Sequence, residues 1–313
     1  SMTDAIERTR DALLNSVNIR LRADVPLAFC LSGGVDSAAI ASIAAKEFGA
    51  KVTTFSIIDS DERYNEEDNI MATVRDIDCD YHLISASQND PLSRLTKLIE
   101  YHDAPIATIS YFIHSMISEA VSKNGLKVSF SGTSADELFT GYYDHFLLHL
   151  NEMRATSDYQ SCLQHWRENI LPSVRNPDFQ NPDLYYSKPH FRDHVFDASD
   201  EINKFFLEPF KENFKEEKFS ENLLRNRMLN ELFHEGSRVI LHEDDLNSMF
   251  YSVENRSPYL DSELVKLAFS IPNRFLIKHG FGKYILREAV KGFLNDRVRL
   301  DRRKKGFNAS INS

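Results

Sequence analysis

The 313-residue sequence predicts an α/β fold: a doubly wound parallel sheet of five strands, followed by a mainly helical C-terminal half. Three observations carry that expectation. Leu27-Ala28-Phe29-Cys30-Leu31 is an apolar run too short for a helix and stopped by a glycine pair, which reads as a strand covered on both faces. Strand-like and helix-like segments alternate from there to about Phe139. Two polar motifs, Ser32 to Ser37 and Ser131 to Glu137, each follow directly on such a strand. Ligands collect there in open α/β sheets, beyond the carboxyl ends of the strands and near the switch in strand order.

In chain order, Thr3 to Arg22 places Ile6, Leu13, Leu14, Val17 and Leu21 at near-helical spacing among charges, an amphipathic helix that ends before Pro26. After the first strand a helix runs from Ser37 to Gly49, a natural C-cap. A strand follows at Val52 to Ile58, a helix at Glu66 to Asp76 and a strand at Tyr81 to Ser85. Helices at Leu92 to Tyr101 and Tyr111 to Lys123 then lead to a strand at Lys127 to Phe130. Beyond Phe139 the β pattern stops, and the remainder reads as helices broken by the loop Leu171 to Pro189. A soft boundary near residue 145 divides an α/β subdomain, 1–145, from a helical region, 146–313, that completes the site.

Composition excludes several function classes. A net charge of −10 argues against sequence-independent binding to nucleic acid, which depends on many cationic contacts to phosphate. No stretch approaches the roughly 18 apolar residues of a membrane span. Cys30, Cys79 and Cys162 lack metal-ligand spacing and read as reduced thiols, so a cytoplasmic location is expected.

The string Ser32-Gly33-Gly34-Val35-Asp36-Ser37, between a strand and a helix, brings three things to one point. Its glycines let backbone approach a phosphate, its N–H groups and helix N-terminus favour anions, and Ser32 and Ser37 add hydroxyl donors. Asp36 suits such a place if a divalent cation bridges it to phosphate, and Mg²⁺ is the expected ion. A turn with a capped helix is the alternative. The string is not the Gly-x-x-x-x-Gly-Lys-Ser/Thr loop of kinases and GTPases. It resembles the SGGxDS loop of the N-type ATP pyrophosphatases, which adenylate a carboxyl or carbonyl oxygen and let a nitrogen nucleophile displace AMP.

Four further strings narrow the resemblance. Ser131-Gly132-Thr133-Ser134-Ala135-Asp136-Glu137-Leu138-Phe139 with Gly141-Tyr142 is similar to the SGxGADELFxGY element of asparagine synthetase synthetase domains. Asp245, Ser248-Met249, Glu254-x-Arg256-x-Pro258 and Leu260-Asp261 resemble that family's DxxSM…ExRxPxLD element. Gly282-Lys283-Tyr284-Ile285-Leu286-Arg287 resembles its GKxxLR segment, and Arg302-x-Lys304-x-Gly306-Phe307 its late RxKxGF. With the loop, these strings span residues 32 to 307 in the family's order.

The resemblance implies ATP and Mg²⁺ as cofactors, with Asp36 and Asp136 sharing the metal and Ser32, Gly33, Gly34 and Ser37 on the phosphates. It implies backbone contacts to adenine from Leu31, Ile57 and Gly132, and Lys283 and Lys304 as cations on the departing pyrophosphate. Thr133 and Asp245 fall in the pocket for acceptor and nucleophile, and Asp103, Glu254 and Arg256 beside the substrate. Residue by residue, plainer readings stay open. Asp136-Glu137 also suits a helix N-terminus, Asp103 a turn, Glu254 and Arg256 an ion pair, and each lysine a solvated surface.

Two departures from the family bear on function. The sequence opens at its synthetase-like part, without the glutaminase domain and N-terminal Cys of glutamine-dependent asparagine synthetases, and is expected to be either a piece of a longer protein or a free-standing subunit. The expected nitrogen source is therefore free ammonia, an amine on the substrate, or a separate glutaminase subunit or domain. Thr133 stands where asparagine synthetases carry Glu and β-lactam synthetases Tyr, and a threonine hydroxyl is too weakly acidic to serve as a base. The expected reaction is ATP-dependent amidation of a small carboxylate, aspartate first and a sugar acid as its competitor, with no nucleic-acid or membrane partner and room for a homodimer. A nucleotide-binding subunit without catalysis is the remaining alternative.

Overall fold

The computed structural model describes residues 1–59, 61, 65–86, 90–193, 199–209 and 214–303. Five strands form one sheet: β1 Leu27–Cys30, β2 Thr53–Ile58, β3 Asp80–Ser85, β4 Val128–Phe130 and β5 Glu254–Arg256. Every pairing is parallel, and the order is β3-β2-β1-β4-β5. The order reverses between β1 and β4, whose Phe29 and Phe130 are register partners with rings stacked 4.8 Å apart. The two polar motifs therefore leave the sheet side by side, at the switch point where such sheets bind ligands.

Helices alternate with the first four strands. They are α1 Met2–Arg20, α2 Val35–Lys46, α3 Glu67–Ile77, α4 Pro91–His102 and α5 Ile109–Lys123. The C-terminal half adds α6 Ala135–Phe139, α7 Tyr143–Met153, α8 Tyr159–Asn169, α9 Leu184–Ser187, α10 Ser199–Asn203, α11 Leu223–Phe233, α12 Gly236–Phe250, α13 Ser262–Ser270, α14 Tyr284–Ala289 and α15 Asp296–Arg299. Successive strand side chains enter opposite layers, as the pleat requires. Phe29 and Phe130 pack into the larger core with α1, α2 and the C-terminal helices, whereas Ala28 and Phe55 join Ile117 and Val121 of α5 in a second one. Both faces are covered, which explains the unbroken apolar reading of β1.

One expectation is corrected: β structure does not end at Phe139. Glu254–Arg256 adds the fifth strand next to β4, with Ser129 opposite Asn255. The segment Glu-Asn-Arg has neither apolar alternation nor β-branched residues, and tertiary pairing alone makes it a strand.

Asp261 caps α13, accepting from the N–H groups of Glu263 and Leu264, and takes a 3.0 Å ion pair from Arg20 of α1. Burial alone would raise its carboxyl, but the Arg20 bond and the two backbone donors outweigh it and hold the group below the usual range. A depressed carboxyl stabilises the fold above its unfolded pKa, and the effect is lost as pH falls through the folded value. Asp261→Ala should therefore cost about 1 kcal/mol at pH 7. The deficit should shrink in acid, as thermal melts across pH will show. Among the described residues, no helix is long and apolar enough to cross a membrane, and none of the three cysteines is disulfide-bonded.

Candidate active site

The loop after β1 folds on its own hydroxyls. Ser37 Oγ accepts from the Ser32 N–H and lies 3.0 Å from Ser32 Oγ, which in turn accepts from the Gly34 N–H at 3.2 Å. The Gly33 N–H donates to Glu66 Oε2 at 3.1 Å. A Cβ on Gly33 would stand 2.7 Å from the Glu66 Cβ, so the close approach of loop and α3 requires glycine. Gly34 is the N-cap of α2 and supplies no side chain, so the helix end is open to an outside anion.

Opposite the loop, the segment after β4 brings in Asp136 at the start of α6. Lys283 lies between the two motifs, its Nζ 2.5 Å from Asp36 Oδ2 and 2.7 Å from Asp136 Oδ1. Lys283 is buried, which works against its charge, but Asp136 and Asp36 outweigh that and hold the ammonium above the ordinary lysine value. Two carboxylates converging from neighbouring strand ends are hard oxygen donors suited to a divalent cation. They are partly buried and aimed at one point, so the residues present fit Mg²⁺.

The backbone around this triad is unusual. Ser134, Thr140 and Lys283 all have φ between +55° and +72°, in the left-handed region that side chains with a Cβ seldom enter. Such residues cluster where function demands a fixed geometry. The Lys283 N–H donates to Thr140 Oγ1 at 3.3 Å, tying two of the three together.

These groups open into a cavity of about 610 Å³, within the range of small-molecule sites. Ser32, Gly34, Asp36, Ser37, Gly132, Thr133, Asp136 and Lys283 line it. Other expected residues fall elsewhere. Leu31 is fully buried in the core with its N–H given to Phe55 O, Ile57 packs between two core clusters, and Gly33 faces α3. Asp103 ends α4 in the left-handed conformation, away from the cavity lining. Glu254 and Arg256 form a 2.7 Å ion pair, and Arg256 also donates to the carbonyls of Arg20 and Arg22, so they fasten β5 to α1. Asp245 is exposed; the side chain that α12 turns into the cavity is Asp244, one residue earlier, on the face shared with Ile240 and Ser248. Lys304 lies outside the described residues.

Sequence reasoning missed Glu66, Tyr111, His114, Asp244 and Arg287, which also line the cavity. Burial pushes the Arg287 guanidinium down to about 10, with Asp36 the main opposing influence. Arg287 was visible as the last residue of the GKxxLR-like string. His114 and Asp244 belong to no motif, and only the helical spacing of Tyr111, His114 and Ser118 on α5 and of Ile240, Asp244 and Ser248 on α12 marks them.

The chain is similar to several known proteins. The chain is 27% identical to asparagine synthetase [glutamine-hydrolyzing] 1 of Bacillus subtilis, over 98% of its own length and 50% of that protein's. It is 23% identical to the amidase chyE of Penicillium rubens, over 95% of its length and 51% of that protein's. The chain thus spans about half the length of the curated relatives it matches. A solved NH3-dependent NAD synthetase from Campylobacter jejuni is 14% identical, covering 69% of this chain and 99% of that one, with a TM-score of 0.31. The asparagine synthase family model matches residues 8–313, nearly the whole sequence, and the chain belongs to the asparagine synthase family.

Proposed function

We propose that this chain is the ATP-using part of an amide-forming ligase. It adenylates a small carboxylate, aspartate being the leading candidate, and passes the acyl group to ammonia or an amine with release of AMP and pyrophosphate. The observation that carries the reading is the convergence of the Ser32 to Ser37 loop, Asp36, Asp136 and Lys283 at the β1/β4 switch. The family membership supports the same class of reaction. The relatives' names supply the aspartate candidate and a route for ammonia through glutamine hydrolysis, which a separate glutaminase domain or subunit would provide here.

In this reading Asp36 and Asp136 would hold Mg²⁺, whose charge would stabilise the departing pyrophosphate. The loop N–H groups, the α2 N-terminus and the Ser32 and Ser37 hydroxyls grip the phosphates. Lys283 supplies a fixed cation where charge develops on the leaving group. Lys304 remains a second candidate for that task on sequence grounds. The protein would work in the cytoplasm on small molecules.

One observation favours a second acceptor. The described lysines and arginines lining the cavity are Lys283, Arg287, Arg302 and Arg303, all from one late segment, while Thr108, Ser110, Ser118, Ser131, Thr133 and Ser248 give hydroxyls. A wall rich in hydroxyls suits a polyhydroxylated sugar acid at least as well as a second carboxylate.

A screen for ATP–pyrophosphate exchange with Mg²⁺, across aspartate, other amino-dicarboxylates and sugar acids, tests the reading. At least one carboxylate should support exchange, and Asp36→Asn should remove it. If no carboxylate does so, the chain is a nucleotide-binding module rather than a ligase.

A further inference from the structure

Resting on the amide-ligase reading, we infer that His114 and Asp244 form a catalytic dyad, in which His114 Nε2 takes the proton from the attacking nitrogen. The two side chains meet inside the cavity, His114 Nδ1 lying 2.9 Å from Asp244 Oδ1. A carboxylate only accepts, so Nδ1 carries the hydrogen, and in the neutral imidazole the lone pair is then on Nε2. This is the arrangement by which a carboxylate orients an imidazole base and stabilises it once protonated.

The other ionisable groups of the cavity are committed elsewhere. Asp36 and Asp136 hold Lys283, Glu66 accepts from the Gly33 N–H, and Glu137 accepts from the Tyr142 hydroxyl at 2.7 Å. Burial and the nearby Asp244 carboxylate keep the Tyr111 phenol protonated. Thr133 cannot act as a base at neutral pH. Among the described residues, His114 is the one imidazole in the lining.

The dyad is also well anchored. Its two members sit on facing helices, and α12 is held to the start of α5 by Asn247 Nδ2 donating to Tyr111 O at 2.8 Å. Glu243, the residue before Asp244, accepts from the Ala107 N–H at 3.2 Å. Asp244 lies near the end of β1: burial first, and then this carboxylate, push the Cys30 thiol up to about 12. Cys30 is two residues from Ser32, so the dyad lies close to the loop that positions ATP.

The step balances without another reagent. The nitrogen lone pair attacks the acyl carbon, a C–N bond forms, the C–O bond to AMP breaks, and AMP leaves with that electron pair. The surplus proton on nitrogen passes to Nε2 and then to water.

His114→Asn tests the inference, because its amide nitrogen takes the place of Nδ1 and still donates to Asp244 while the base is gone. The full chain is assayed for exchange with the carboxylate found by screening, aspartate first, and for product with ammonium chloride or hydroxylamine. Exchange should persist, whereas ammonia-dependent product should fall about 10²-fold or more, the usual contribution of a general base. Hydroxylamine attacks through a neutral nitrogen as well and sheds the same proton, so its product should also fall while exchange persists. Asp244→Asn should give a smaller loss of the same kind. An unchanged ammonia rate, or exchange lost in the variant alone, would overturn the dyad. Absence of exchange in the unmodified chain would instead sink the ligase reading, and the dyad with it.

Discussion

Replacing Lys283 by Met should lower pyrophosphate release by about 10²–10³-fold, the scale of losing one fixed group that stabilises developing charge. The same change should weaken the fold, because it leaves Asp36 and Asp136 facing each other without the ammonium they share. Removing one partner of a buried ion pair typically costs about 3–5 kcal/mol. The carboxylates keep about a fifth of their side-chain surface exposed, so the lower end of that range applies here. Lys283 is held above its ordinary value, so its stabilising effect is present in full at neutral pH. It should be lost only as pH rises through that elevated value. If Asp36 and Asp136 are the metal site, Mg²⁺ should raise the melting temperature of the Met variant more than that of the unmodified chain, since a cation bound only by the folded state stabilises it. Melts with and without Mg²⁺, and pyrophosphate release at saturating ATP, separate the roles. A purely structural lysine would lower the melting temperature and leave turnover per folded molecule intact.

The parts of this molecule legible in the sequence share a physical cause. Short polar strings placed after strands carry local information: glycines where backbones touch, hydroxyls and an acid at a helix start. The loop at Ser32 to Ser37 and the segment at Ser131 to Glu137 accordingly lie together as expected. The sheet was legible for the same reason, because β1 and β2 are buried on both faces and read as apolar runs. β5 was not, since Glu254–Arg256 is polar and takes its conformation from its neighbour β4. The cavity wall formed by α5 and α12 was illegible for a third reason. His114 and Asp244 are 130 residues apart and meet only because α5 and α12 pack face to face. Asp245 shows the limit of string matching: one position along α12 is about 100° of rotation, enough to exchange a cavity residue for an exposed one.

Gly141→Ala should separate geometry from stability. A Cβ at Gly141 would stand 1.4 Å from Asp136 Oδ1 and 2.8 Å from Lys283 Cε, separations that non-bonded atoms cannot keep. The backbone has little room to retreat. Its N–H donates to His145 Nδ1 at 3.2 Å, and His145 Nε2 in turn donates to the buried Glu231 carboxylate at 2.7 Å. The carboxylate of Asp136 must therefore move instead, and it is the end of a side chain, so the fold should survive. Overpacking of this kind costs about 1–3 kcal/mol. The chemistry is far less tolerant, because a displacement of about 1 Å in a positioned group can cost roughly 10²-fold in rate. Gly141→Ala is thus expected to keep most of its melting temperature, lose about two orders of magnitude in pyrophosphate release, and require more Mg²⁺ for half-maximal activity. Activity close to that of the unmodified chain would mean that Asp136 has no fixed place in the reaction and that its ion pair with Lys283 is only structural. Loss of activity with an unchanged Mg²⁺ requirement would place Asp136 in the phosphate grip rather than on the metal.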